Sequence, residues 1–120
     1  WMQNAVDTAY APRGGLVRVS RDGSWFVTAE GETVSLEHRR SLRLLLGALI
    51  LRRAQRPGEA MSVDDVFAQG WPGERVAVGA QNRVYVALST LRKLGLRGVI
   101  ERCREGYFIP PSASVVIEGS

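Results

Sequence analysis

Between Val76 and Leu94, apolar residues recur three and four positions apart, which predicts a helix with one face committed to a core. With residues about 100° apart on a wheel, Ala80, Val84, Ala87, Leu88, Leu91 and Leu94 fall within about a 120° arc. Opposite them lie Asn82, Arg83, Tyr85, Val86, Ser89, Thr90 and Lys93, with no acid among them. Whatever surrounds this helix must cover one face and leave the other to a partner. The plain alternative is a surface helix with incidental charges.

The flanking sequence supplies the cover. Short β-type runs at Leu16–Ser20, Ser24–Ala29 and Glu32–Leu36 are separated by Asp22-Gly23 and Glu30-Gly31, a pattern that predicts an antiparallel meander. A helix over residues 37–55 carries Leu42, Leu45, Leu46 and Leu49 on one face. Leu44 and Leu51 lie on another, so it should be covered on two sides, and Pro57-Gly58 stops it. Ser62 followed by Asp65 predicts a capped start for a short helix through Val63, Val66 and Phe67. Trp25, Phe26 and Phe67 are expected in the core. After the helix over 76–94, two apolar–polar strands around a charged turn predict a hairpin over residues 98–109.

These elements make an α+β domain: an N-terminal antiparallel sheet, three helices and a C-terminal β-hairpin wing, the arrangement of a winged helix-turn-helix. The domain is expected over residues 15–111. Residues 1–14 are expected as a linker or arm, and 112–120 as a C-terminal tail. Trp1 ahead of Met2 suggests a fragment boundary.

Charge singles out one stretch. Residues 75–106 hold seven basic residues against two acids, a local net of +5 in a chain whose total is +4. The charge therefore sits on the third helix and the hairpin, and a polyanion is the expected partner. Fifteen of the sixteen basic residues are arginine. That suits bidentate phosphate or guanine contacts, and equally reflects a GC-rich genome. The arginines Arg52, Arg53 and Arg56 at the end of the first helix complement its dipole and could meet a phosphate.

Other classes lose ground. Hydrophobic content of 45% with 23% charge suits a folded globular chain rather than a disordered one. A lone Cys103 excludes a disulfide framework and fits a reducing cytoplasm, and a lone His38 beside it offers no metal-ligand spacing. No apolar run approaches the roughly 20 residues needed to cross a bilayer. With no Ser/His/Asp grouping, paired carboxylates or Gly-rich phosphate loop, we expect no enzyme, no cofactor, no metal and no small-molecule substrate.

The outward helix face matches groove chemistry. Asn82 can pair with adenine, Arg83 with guanine, and Val86 can meet a thymine methyl. Ser89, Thr90 and Lys93 can reach phosphate oxygens, as can Arg102 and Arg104 on the hairpin.

Here the chain resembles the winged-helix effector domain of OmpR/PhoB-type response regulators. The matching residues are Val34-Ser35-Leu36 ahead of the leucine-rich helix, Gly70-Trp71, the run Asn82-Arg83-Val84-Tyr85-Val86-Ala87-Leu88-Ser89-Thr90-Leu91-Arg92-Lys93-Leu94, and Gly106-Tyr107. The resemblance spans about residues 16–110. It implies sequence-specific binding of double-stranded DNA, with base contacts at Arg83, Val86 and Thr90 and backbone contacts at Asn82, Ser89 and Arg92. It further implies RNA polymerase contacts at Trp71, Glu74 and Arg75, and a homodimer on direct repeats. Three positions depart from the family pattern. Tyr85 stands where an aspartate is usual, Thr90 where an arginine is, and Cys103 where the wing arginine is, between Arg102 and Arg104. Those departures motivate a rival class, a winged-helix protein–protein interaction module that has lost DNA binding. The family's receiver domain is absent from these residues, so the domain is either part of a longer regulator or an effector standing alone.

Overall fold

The computed structural model describes residues 16–118, so the arm expected over 1–14 lies outside them. Three strands come first: β1 (Val17–Ser20), β2 (Trp25–Val27) and β3 (Thr33–Ser35). Both neighbouring pairs are antiparallel, as the turn residues predict. The Asp22 carboxylate closes the first turn by accepting from the Ser24 hydroxyl at 2.7 Å, the Ser20 hydroxyl at 2.9 Å and the Ser24 amide at 3.0 Å.

Helix α1 (Arg40–Gln55) buries Leu42, Leu45, Leu46, Leu49 and Ile50. Its contact with the sheet needs two glycines. A Cβ on Gly23 would lie 2.5 Å from the Arg43 carbonyl oxygen, and one on Gly47 would lie 2.9 Å from that of Asp22. The strand turn thus rests backbone to backbone on the helix. The strand turn and the helix over Val63–Gly70 cover α1 on two sides as expected, but the face of Leu44 and Leu51 stays open, with Leu51 56% exposed and Leu44 half-buried. The arginines at its end are spent internally. Arg52 donates to the Ala60 carbonyl, Arg53 to those of Pro110 and Pro111, and Arg56 to the Glu59 carboxylate. They tie the end of the helix to later loops, which argues against the phosphate role considered for them.

Helix α2 (Val63–Gly70) begins as its sequence predicts, with the Ser62 hydroxyl accepting from the Asp65 amide at 3.1 Å. Helix α3 (Ala80–Leu91) starts four residues later than expected. Residues 72–79 form an exposed loop, and Gly79 at φ +95° breaks the helical path just ahead of Ala80. Val76 and Val78, which suit a helical period, instead face solvent. A single wide turn (Arg92–Leu96) follows α3. There Gly95 sits at φ +141°, and a Cβ on it would fall 2.4 Å from the Thr28 methyl. That turn is pressed against the sheet, and only glycine fits.

The hairpin is β4 (Glu101–Cys103) and β5 (Gly106–Phe108). Tyr107 and Met61 exchange two backbone hydrogen bonds of 2.8 and 3.0 Å, anchoring the hairpin to the α1–α2 connection. The core gathers Val19, Phe26, Leu36, Leu45, Leu46, Phe67, Leu88, Leu91 and Ile109, all at most 2% exposed. Phe26 and Phe67 are thus core aromatics as expected, whereas Trp25 is only half-buried.

The expected tail is the clearest correction. Val115–Glu118 form β6, which pairs parallel with β1 and makes a four-stranded sheet of order β3-β2-β1-β6. The run Val115-Val116-Ile117 has the β-branched composition of a strand, and pairing with β1 satisfies backbone groups a tail would leave to water. Glu118 adds a two-pronged ion pair to Arg18, at 2.7 and 3.0 Å.

The hydroxyls around Asp22, led by Ser24, hold its carboxyl below the usual carboxylate value, and Arg18 does the same for Glu118. A depressed carboxylate contributes stability above its unfolded value and loses it as pH falls through the folded one. The thermal midpoint should therefore stay level from about pH 7 to about 5 and decline below about 4. Asp22→Asn should give a shallower decline in a melting series; an equally steep one would remove Asp22 as a cause.

Candidate nucleic-acid interface

Helix α3 buries Ala80, Val84, Ala87, Leu88 and Leu91, the stripe that its period predicts. Asn82, Arg83, Tyr85, Val86 and Lys93 are exposed on the other side, with Ser89 and Thr90 half-buried beside them. Val86 and Tyr85 are each 52% exposed, a large apolar offering for a helix that packs so well on its inner face. No acid occurs between Gly79 and Ile100.

This face stands as a ridge between two clefts. One cleft, of about 390 Å³, separates it from the start of α1, where Arg39, Ser41 and Leu42 form the far wall. The other, of about 290 Å³, separates it from the hairpin, where Arg102 forms the far wall. Each cleft has an arginine opposite the helix.

Arg39 and Ser41 are absent from the residues that sequence reasoning singled out. A signal was present: Arg39, Arg40 and Arg43 crowd the positive end of α1's dipole, and its first turn has no acid. Cations there are unfavourable without an anion to meet them. By contrast α2 starts with Asp64 and Asp65. His38, next to Arg39 ahead of α1, is exposed.

Several predicted site residues turn out to be occupied. The Arg83 guanidinium pairs with Glu74 at 2.9 Å and lies 4.8 Å above the Trp71 ring and 5.3 Å from that of Phe67. Trp71 itself stacks on Phe67 with centroids 5.1 Å apart. The hydrogen bond from Arg83 holds the Glu74 carboxyl below its usual range. Arg83 thus latches the α2–α3 loop onto the outer face of α3 instead of standing free. An exposed ion pair alone contributes little, but stacking on two rings fixes the side chain as well.

The Thr90 hydroxyl donates to the Val86 carbonyl at 2.9 Å, so its hydrogen is used within the helix. Arg92 is half-buried and donates to the Ile100 carbonyl at 3.1 Å, stapling the end of α3 to the start of the hairpin. Arg75, Arg102 and Arg104 are exposed, and Cys103 is half-buried on β4. Among the described residues, no three His, Cys, Asp or Glu side chains gather as a metal site, and no helix is long and apolar enough to cross a membrane.

No protein-family model and no curated protein matches the chain. Among solved structures, the fold is similar to that of the DNA-binding domain of E. coli CadC, with 23% identity and a TM-score of 0.54. The alignment covers 79% of this chain and 91% of that one. Three strands of a sheet, three helices, a hairpin and a last strand that returns to the sheet make a winged-helix fold.

Proposed function

We propose that this domain binds double-stranded DNA in a sequence-specific manner, as the effector of a bacterial transcription regulator. Helix α3 enters the major groove and the β4–β5 hairpin lies along the adjoining backbone as the wing. The observation that carries this reading is the acid-free ridge of α3, exposed between two clefts that each present an arginine on the far side. A helix about 10–12 Å across fits a groove about 12 Å wide, and phosphates line both of that groove's edges. The likeness to a DNA-binding domain and the resemblance to OmpR/PhoB-type effectors point the same way.

On this reading Asn82, Val86 and Thr90 face base edges, while Ser89, Lys93, Arg102 and Arg104 meet the backbone. Arg39 joins the backbone contacts from the start of α1. Arg83 serves as a positioning residue, because Glu74 and Trp71 already hold it. Arg92 acts through the hairpin that it staples. A contact with RNA polymerase on the α2–α3 loop falls to Arg75, since Trp71 and Glu74 are engaged with Phe67 and Arg83.

The test is a titration of a random-sequence duplex, read by fluorescence anisotropy across salt concentrations. If Arg39, Lys93, Arg102 and Arg104 each neutralise a phosphate, log K should fall with log[salt] at a slope of roughly −3 to −4. Absence of binding at low salt would overturn the reading and leave an interaction module in its place.

A further inference from the structure

We infer that the cleft between α3 and the hairpin holds a single phosphate of the DNA backbone, and that Tyr85 and Gln81 are contact residues for it. This rests on the DNA-binding reading above and adds a defined subsite to it. The walls are Gln81, Asn82, Tyr85 and Arg102, and the buried Tyr107 lines the cleft beneath them. Every wall residue carries a hydrogen-bond donor: two amides, a phenol and a guanidinium. None carries a negative charge.

The state of Arg102 supports an external partner. Arg18, Arg52, Arg56 and Arg83 pair with carboxylates, while Arg53 and Arg92 donate to backbone carbonyls. Arg102 is exposed and, like Arg39, Arg97 and Arg104, forms neither kind of contact among the described residues; its place on this cleft is what sets it apart. Its guanidinium stands at the cleft with its donors free, in the fork geometry that suits a phosphate.

Position then selects the phosphate. One sugar–phosphate strand separates the major groove from the adjacent minor groove. With α3 in the first and the hairpin towards the second, that strand must cross the space between them, which is this cleft. Tyr85 stands where helices of the resembling family carry an aspartate, so a neutral donor here belongs to this chain.

The experiment uses the whole chain, a random-sequence duplex and the variants Tyr85→Phe, Arg102→Ala and their double mutant. Tyr85 is half-exposed on the helix surface, so removing its hydroxyl should leave the melting temperature unchanged. Tyr85→Phe should weaken binding by about tenfold, the worth of a hydrogen bond to a charged acceptor, with the salt slope unchanged because no cation is lost. Arg102→Ala should reduce the magnitude of that slope by about 0.9. Because both groups hold one phosphate, Tyr85→Phe in the Arg102→Ala background should cost less than about threefold.

Wild-type binding with a neutral Tyr85→Phe, or with fully additive effects, overturns the subsite and leaves DNA binding standing. Failure of the wild type to bind at low salt overturns both. The two failures are told apart by the first titration.

Discussion

Val86→Asp is expected to lower duplex affinity by roughly 100-fold or more while the fold persists, since like charges brought together at an interface cost several kcal/mol. Val86 is half-exposed on the ridge of α3 and belongs to none of the buried clusters, so its replacement leaves no cavity. The new carboxylate would stand on a helix face without acids, against bases flanked by two phosphate strands. It would also discard the apolar contact that a thymine methyl could make. Val86→Ala separates these effects, because it removes the apolar contact and adds no charge, and it should cost about tenfold, near the low end of the roughly 1–3 kcal/mol of a base contact. Anisotropy at low salt gives the affinities and circular dichroism checks the fold. An aspartate variant that binds as tightly as wild type would mean that α3 does not face nucleic acid.

The second large effect concerns stability. Gly106→Ala should destabilise the domain by about 3–5 kcal/mol, a large share of the roughly 5–15 kcal/mol that holds a typical domain together. Gly106 lies at φ +149°, and a Cβ on it would fall 1.9 Å from the Met61 carbonyl oxygen and 3.0 Å from the Ser62 Cα. The clash is with backbone, so no side-chain rotation relieves it. Relief requires lifting the hairpin from the α1–α2 connection, which breaks the Met61–Tyr107 hydrogen bonds and disturbs the Ser62 cap of α2. Gly58→Ala is the matched control. It has φ +85° with nothing within 4 Å, so it should lose only about 1 kcal/mol of backbone strain. Urea unfolding midpoints compare the two, and equal losses would show that close approach at Gly106 does not matter.

The parts of this fold that sequence made legible are those governed by local spacing. The buried stripe of α3, the Ser62 cap and the Gly106-Tyr107 hairpin each follow from residues a few positions apart. The start of α3 was not legible, because Val76 continues the helical period and the backbone conformation that stops it resides in Gly79. Partnerships across the fold were hidden too. Arg83 looks free on a wheel, yet Glu74, nine residues earlier, returns through the loop to meet it. Arg52, Arg53 and Arg56 read as a cationic cluster, and only the packed structure reveals the carbonyls and carboxylate that occupy them. The most consequential omission was β6, whose partner Val17 lies at the opposite end of the described chain from Val115. Parallel pairing leaves no hairpin turn to announce it.

That pairing also sets an order of events. During synthesis β1 emerges ahead of the helices, yet its second neighbour is translated only after all three helices and the wing. Until Val115–Glu118 arrive, β1 carries an open row of amides and carbonyls, the kind of edge onto which another chain's strand can add. A nascent or clipped chain lacking those four residues thus offers β1 to a second copy's strand, whereas in the folded domain that row is filled and the edge passes to the four-residue β6.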